Sequence, residues 1–182
     1  MGYVIIGIIV VIAVYLIMTY NNFIKLRNAV EEAFSTMDVY LKKRWDLIPN
    51  LVEVVKGYAA HESSVLEDIV KLRNMSYDQM SSDEKIGADE RLTAGLSRLI
   101  ALSESYPDLK ANQNYLDLNR QLSGIEDDVA NSRKYYNAVV KRFNTQVSMF
   151  PSNIVAGVFS FKTARMFEAA AAERESVRVQ MR

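Results

Sequence analysis

Residues 30–72 read VEEAFSTMDVYLKKRWDLIPNLVEVVKGYAAHESSVLEDIVKL. One helical face collects Val30, Phe34, Met37, Leu41, Arg44, Ile48, Leu51, Val55, Tyr58, Glu62, Val65, Ile69 and Leu72. The 4-3 spacing never slips, which marks a heptad seam. It passes straight through Pro49, although an interior proline removes a helix hydrogen bond and crowds the preceding turn. The flanking DLIPNL has no glycine and little turn chemistry. The spacing therefore predicts one long helix kinked near Pro49 rather than a hairpin. As a single helix, residues 21–76 would span about 83 Å, against about 65 Å for residues 108–150. Either the first helix stands out as a stalk, or it breaks at Pro49 after all.

Downstream, Tyr77 to Asp83 (YDQMSSD) reads as a loop, with Ser82 or Asp83 able to cap the next helix. That helix carries Leu92, Leu96, Leu99 and Tyr106 on one face, and the phase slips at Pro107. A second seam restarts at Tyr115 and continues through Leu118, Leu122, Ile125, Val129, Ser132, Tyr136, Val139, Phe143, Gln146 and Phe150. Phe150-Pro151-Ser152-Asn153 ends it, with Asn153 as a cap, and a last helix is expected over about 154–170. Residues 169–182 are helical in composition but poor in apolar surface, a tail expected to fray. Two long seams with shorter helices between them predict an all-α, antiparallel, coiled-coil-like bundle over residues 21–168.

Upstream, residues 1–20 contain no charged side chain, and Tyr3 to Met18 is dominated by Val, Ile and Leu with Gly7 inside. Tyr3 to Tyr20 spans about 26 Å as helix, close to the hydrocarbon thickness of a bilayer. Tyr3 and Tyr20 fall where interfacial aromatics belong, and Tyr15 lies one turn inside. A cleaved signal peptide needs a basic n-region and a small-x-small cleavage site. Nothing basic precedes this run except the chain's own amino group, so a retained single-pass transmembrane anchor is expected over residues 1–20. Lys25 and Arg27, then Lys42, Lys43 and Arg44, follow it. By the positive-inside rule the N-terminus is outside and the helical part cytoplasmic. Lys25 and Arg27 serve as topology signals or reach lipid phosphates. The first seam begins within about ten residues of Tyr20, at Val30, with no glycine or proline between, so the anchor is expected to run on into the first bundle helix.

Composition narrows the function classes. The 182 residues suit one domain plus an anchor. Basic and acidic residues balance at 22 each, which argues against nucleic acid as the main partner. There is no cysteine, so no disulfide, thiolate nucleophile, cysteine-held metal or lipoprotein anchor. The single histidine, His61, cannot supply a di-iron bundle, a zinc hydrolase or a catalytic triad. No phosphate-binding loop of the G-x-x-x-x-G-K type is present. No catalytic, cofactor or metal site is expected.

Several stretches together resemble the LemA family of bacterial membrane proteins. They are Tyr20-Asn21 with Leu26-Arg27-Asn28, then Asp38 to Glu62, then ESYPDLKAN from Glu104 to Asn112. Leu118, Leu122, Tyr136-Asn137, Asn144, Phe150-Pro151 and Phe167-Glu168 follow in the same order. Phe34, Tyr40 and Asn119 depart from the pattern, where Trp, Gln and Gln are expected. The resemblance covers about residues 18–168. It implies a helical bundle behind one N-terminal membrane segment, in the bacterial inner membrane. It also implies an undefined molecular activity linked to membrane organisation, including magnetosome formation. It brings no catalytic residues.

Some polar and aromatic residues carry hypotheses of their own. Arg44 and Glu62 interrupt the first seam at core positions, and buried charge needs partners. Glu104, Glu126 and Arg133 are candidates. The contacts either set helix register or form a ligand or ion site. The apolar stretch around Phe159 and Phe161, with Lys162 and Arg165 beside it, either caps the bundle or forms an interfacial helix against lipid or a second subunit. The expected function is a non-enzymatic scaffold that self-associates and organises membrane or partner proteins. The alternative is an envelope-associated regulatory module that engages a cytoplasmic protease or kinase.

Overall fold

The computed structural model describes residues 1–58, 69–71 and 75–167, and among them there is no β-strand. The first helix, α1, runs from Gly2 to Lys56 with Pro49 inside it. The proline's cost of about 3 kcal/mol is offset around it. Ile48, Leu51 and Val52 are buried on either side, each stabilising by about 1.5–3 kcal/mol. The expected long helix through Pro49 is found, but it does not continue to residue 76. It stops at Lys56, and Gly57-Tyr58 forms a turn closed by the Tyr58 N–H donating to the Val55 carbonyl at 3.0 Å. The break is therefore at the glycine and not at either alternative weighed from the sequence. Glu62 and His61 lie outside the described residues.

Residues 69–71 are helical, and Ile69 is buried against Gly95. A β-carbon on Gly95 would stand 3.1 Å from Ile69 Cγ1, so the glycine permits that close approach. Tyr77–Gln79 makes a single 3-10 turn. Helix α2 spans Ser82–Ser103. Its cap is Ser81, one residue before the expected Ser82 or Asp83. Ser81 and Glu84 form a reciprocal capping box, and the Glu84 carboxylate, accepting from the Ser81 N–H and the Ser81 hydroxyl, is held below its usual range.

A short α3, Pro107–Lys110, precedes α4, Gln113–Ser148. The expected single helix from 108 is thus two helices. Asn112 sits between them, its Oδ1 accepting from the Tyr115 N–H at 3.1 Å as an N-cap. The last helix, α5, is Ser152–Val158 rather than 154–170, and residues 161–167 are not helical. The end comes early because Ser160 turns left-handed, with φ 58°. Residues 168–182, including the expected polar tail, lie outside the described residues.

The chain divides into two units. The first holds Met1–Met37 and Asn131–Met166, and the second holds Asp38–Ala130 and Phe167 onward. In the first unit α1 and α4 are antiparallel. Phe23 meets Phe143, and further along α1 Phe34 meets the earlier residue Tyr136. Its core is Phe23, Phe143, Val155 and Ala156, with Leu26, Val30, Val147, Phe161 and Ala164 packed around them. In the second unit the seam residues Leu41, Ile48, Leu51 and Val55 are buried with Leu92, Leu96, Leu99, Leu118 and Leu122. Asp38 pairs with Lys85 and Arg44 with Asp89, so α2 runs in the same direction as α1 there. Alternate helices of an up-and-down bundle do the same.

Candidate functional sites

In the second unit the seam of α1 carries one charge, Arg44, only 1% exposed. Burying a guanidinium among leucines is tolerated only if its charge and donors are matched. Nη1 donates to Asp89 Oδ1 at 2.7 Å and to Thr93 Oγ1 at 3.0 Å, both on α2. Nη2 pairs with Glu126 Oε1 on α4 at 2.5 Å. Nε is buried without a hydrogen-bond partner. Thr93 in turn donates to the Asp89 carbonyl at 2.9 Å. One side chain thus ties together three helices. Among the carboxylates the sequence offered, Glu126 is the one that meets Arg44. Glu104 instead takes up an exposed pair with Lys110.

Asp89 was not anticipated from sequence, although a signal for it exists. It extends the Leu92-Leu96-Leu99 spacing one step back, which places a carboxylate on an apolar face. The same holds for a second polar cluster in this unit. The Tyr77 hydroxyl donates to Asp38 Oδ1 at 2.6 Å, and Lys85 Nζ reaches Asp38 Oδ2 at 2.7 Å. The same ammonium lies 4.7 Å from the Tyr77 ring centroid, and the Trp45 ring is tilted against Tyr77 at 5.4 Å between centroids. Burial, then the neighbouring Asp38 carboxylate, push the phenol's pKa up from its ordinary value. Elsewhere in the unit a groove of about 380 Å³ opens beside Gly95, lined by Ile69, Met75 and Ala94 together with Lys71, Arg91 and Arg98.

The first unit is built differently. The α1 stretch from Tyr3 to Met18 is exposed throughout, so it does not serve as a core helix of this unit. α1 is, among the described residues, the helix long and apolar enough to cross a membrane. A β-carbon on Gly7 would meet nothing within 4 Å, and Tyr3 and Tyr15 are exposed. Tyr20 stands at the end of the stretch against Phe159, at 4.8 Å between centroids, and Phe161, at 5.9 Å. Phe161 also stacks on Phe23 at 4.7 Å. It therefore packs inward, whereas Phe159 remains half exposed.

The segment that brings these rings to α1 is held by its backbone. Asn144 clamps residue 164 from both sides, its Nδ2 donating to the Ala164 carbonyl at 2.9 Å and its Oδ1 accepting from the Ala164 N–H at 2.8 Å. Tyr136 donates to the Arg165 carbonyl at 3.0 Å. Lys162 and Arg165 present exposed side chains, as do Lys25 and Arg27. Arg27 lies 3.9 Å from Glu31.

Comparison with known proteins places this architecture. The LemA family pattern matches residues 33–181. Magnetosome protein MamQ 2 of Paramagnetospirillum magneticum is 26% identical over 179 aligned residues, covering 84% of this chain and 66% of its own length. Protein LemA of Metamycoplasma hominis is 27% identical over 161, covering 86% and 72%. Magnetosome protein MamQ of Magnetospirillum gryphiswaldense is 24% identical over 178, covering 84% and 65%. The chain thus spans just under two thirds of the length of the MamQ relatives. With a family match over most of its length, and an all-helical fold behind an apolar N-terminal helix that suggests membrane anchoring, the chain belongs to the LemA family.

Proposed function

We propose that this protein is a single-pass, membrane-anchored helical scaffold that self-associates and organises membrane or partner proteins, without catalysing a reaction. The observation that carries this reading is α1 itself. One helix begins with an exposed apolar stretch and ends in a seam of buried residues. A helix of that kind joins a bilayer-spanning element to a packing element with no linker between. The two relatives named as magnetosome proteins support a role at an organised membrane assembly. The basic residues Lys25 and Arg27 after the stretch support an inner-membrane topology, with the N-terminus outside and the bundle in the cytoplasm. The partners in this reading are membrane lipid, further copies of the chain and a membrane or cytoplasmic protein, with no nucleic acid and no cofactor.

The test is extraction of the full chain from its native membrane in an amphipathic polymer, with particle mass measured and companions identified. A multimer, alone or with companions, is the expected result. A monomer without companions would sink the scaffold. A monomer bound stoichiometrically to one protease or kinase would replace it with the regulatory reading.

A further inference from the structure

The first unit carries an apolar surface that its own core does not use. Residues 143–161, FNTQVSMFPSNIVAGVFSF, contain no charged side chain. Val155 and Ala156 of this stretch are buried in the core, but Phe150 is 76% exposed, Ile154 57% and Val158 72%, with Met149 and Phe159 about half exposed. Five large apolar side chains face outward around one short helix, and isolated exposed hydrophobics are ordinary while contiguous ones mark a contact.

The antiparallel register says where this surface lies. Phe143 of α4 is level with Phe23 of α1. Ser148, the end of α4, is five residues on, about 7 Å further along α1 towards its N-terminus. That is the level of Met18 to Tyr20, the last turn of the apolar stretch. Two further observations agree. Thr19 is buried at this level while its neighbours on both sides are exposed, and the Phe159 ring lies against Tyr20. The α5 turn therefore flanks the end of the apolar stretch and extends its apolar surface sideways.

Charge follows the same level. Every charged residue from 129 to 167 is basic, and Lys141, Arg142, Lys162 and Arg165 are exposed, as are Lys25 and Arg27 on α1. By the same register Lys141 and Arg142 come level with Lys25 and Arg27. An apolar tip bordered by a basic belt matches the boundary between acyl chains and anionic headgroups.

We propose that the α5 turn is a second membrane contact. Met149, Phe150, Ile154 and Val158 sit in the headgroup–acyl boundary of the leaflet from which α1 emerges, beneath the basic belt. This rests on the membrane reading of α1, and the occupant is the lipid surface rather than a second copy. The patch is continuous with the stretch that enters the bilayer, and its border is of one charge sign. A protomer held at two points cannot swing freely about its span, so the first unit keeps one orientation against the bilayer.

The absence of native cysteine makes the test direct. Val10→Cys, Ile154→Cys, Val158→Cys and Ala138→Cys of the full chain are each labelled with a bimane. They are reconstituted into vesicles of phosphatidylcholine and phosphatidylglycerol carrying acyl-brominated lipid. Ala138 is exposed on α4, twelve residues before Phe150, about 18 Å up the helix. The labels at 154 and 158 are expected to be quenched by bromolipid severalfold more than the label at 138, and to resist aqueous iodide. If Val10 is quenched by bromolipid while 154 and 158 are quenched only by iodide, the second contact is overturned and the anchor stands. Protection of 154 and 158 from both quenchers means protein covers them, which also overturns it. If Val10 itself escapes bromolipid, the anchor falls and the second contact falls with it.

Discussion

The two units of this chain share two helices and fill them in opposite ways. In the first unit α1 and α4 meet through rings, Phe23 on Phe143 and Phe34 on Tyr136, and Phe161, beyond α5, stacks on Phe23. In the second the same helices meet through charge, Arg44 of α1 with Glu126 of α4, and with Asp89 of α2 alongside. An apolar contact is proportional to area and indifferent to partner, so shape alone sets its register. A buried guanidinium accepts only an arrangement that delivers carboxylates to both of its terminal nitrogens. The second unit is therefore where helix pairing is specified, and the first is where apolar surface is left over.

The contrast is broken most severely at Asp89. Replacing it with alanine leaves Arg44 buried beside a hole, and the second unit is expected to lose about 3–5 kcal/mol. The double variant Arg44→Met with Asp89→Leu removes the buried pair and leaves Glu126, whose side chain is partly exposed, to water, and is expected to recover most of that loss. Thermal unfolding followed by circular dichroism in detergent reads both. If the double variant is no more stable than Asp89→Ala, the node acts through something other than matched charge. In the first unit the counterpart is Phe23, fully buried. Phe23→Ala is expected to cost about 3–4 kcal/mol through lost area and cavity. Phe23→Leu should restore more than half of it, because no polar group is stranded.

Sequence reading reached these two regions unequally. Leu41, Ile48, Leu51 and Val55 declare themselves through spacing, because burial of an amphipathic helix requires apolar residues at that period. The same spacing misled at Gly57. Its phase runs on through Val65, Ile69 and Leu72, but phase is preserved equally well when a helix continues and when the chain turns and starts another in step. Ile69 is indeed buried, against Gly95 of α2. Arg44 announced a need for partners, but only the fold says which carboxylate arrives. The α5 end was misjudged because the turn there uses serine where glycine would have signalled it.

A smaller effect tests the polar side of the contrast at Tyr77, which is buried against Asp38. Its phenol titrates above the ordinary 10.0, so the neutral form is favoured in the fold. The stability this brings is complete below pH 10 and is lost progressively as the pH rises above that value towards the raised pKa of the folded phenol, because the unfolded phenol ionises first. Tyr77→Phe removes a hydrogen bond to a carboxylate and is expected to cost about 1.5–3 kcal/mol at neutral pH. It should also flatten the alkaline limb above pH 10. An alkaline limb unchanged in the variant would assign that loss to another group.

The smallest effect lies at Ser160, where the first unit carries its own local strain. Here α5 closes with the Phe161 N–H donating to the Ala156 carbonyl at 2.9 Å and the Ser160 N–H to Gly157 at 3.4 Å. This two-bond ending needs a left-handed residue at its corner, and glycine normally occupies it. Serine at φ 58° adopts it at a cost of about 1–2 kcal/mol. Ser160→Gly removes that cost but gives the unfolded chain more freedom, so the net gain should be about 0.5–1 kcal/mol. Across a domain of this size that raises Tm by about 1–3 °C. Ser160→Val, β-branched at the same corner, should move it the other way. The corner matters beyond its energy, because it turns the chain so that Phe161 reaches Phe23 while Val158 and Phe159 stay outside. A Ser160→Val chain whose Tm does not fall would show that the corner does not form. The rings would then have no reason to divide into an inner and an outer set, and the contrast between the two units would lose its apolar half.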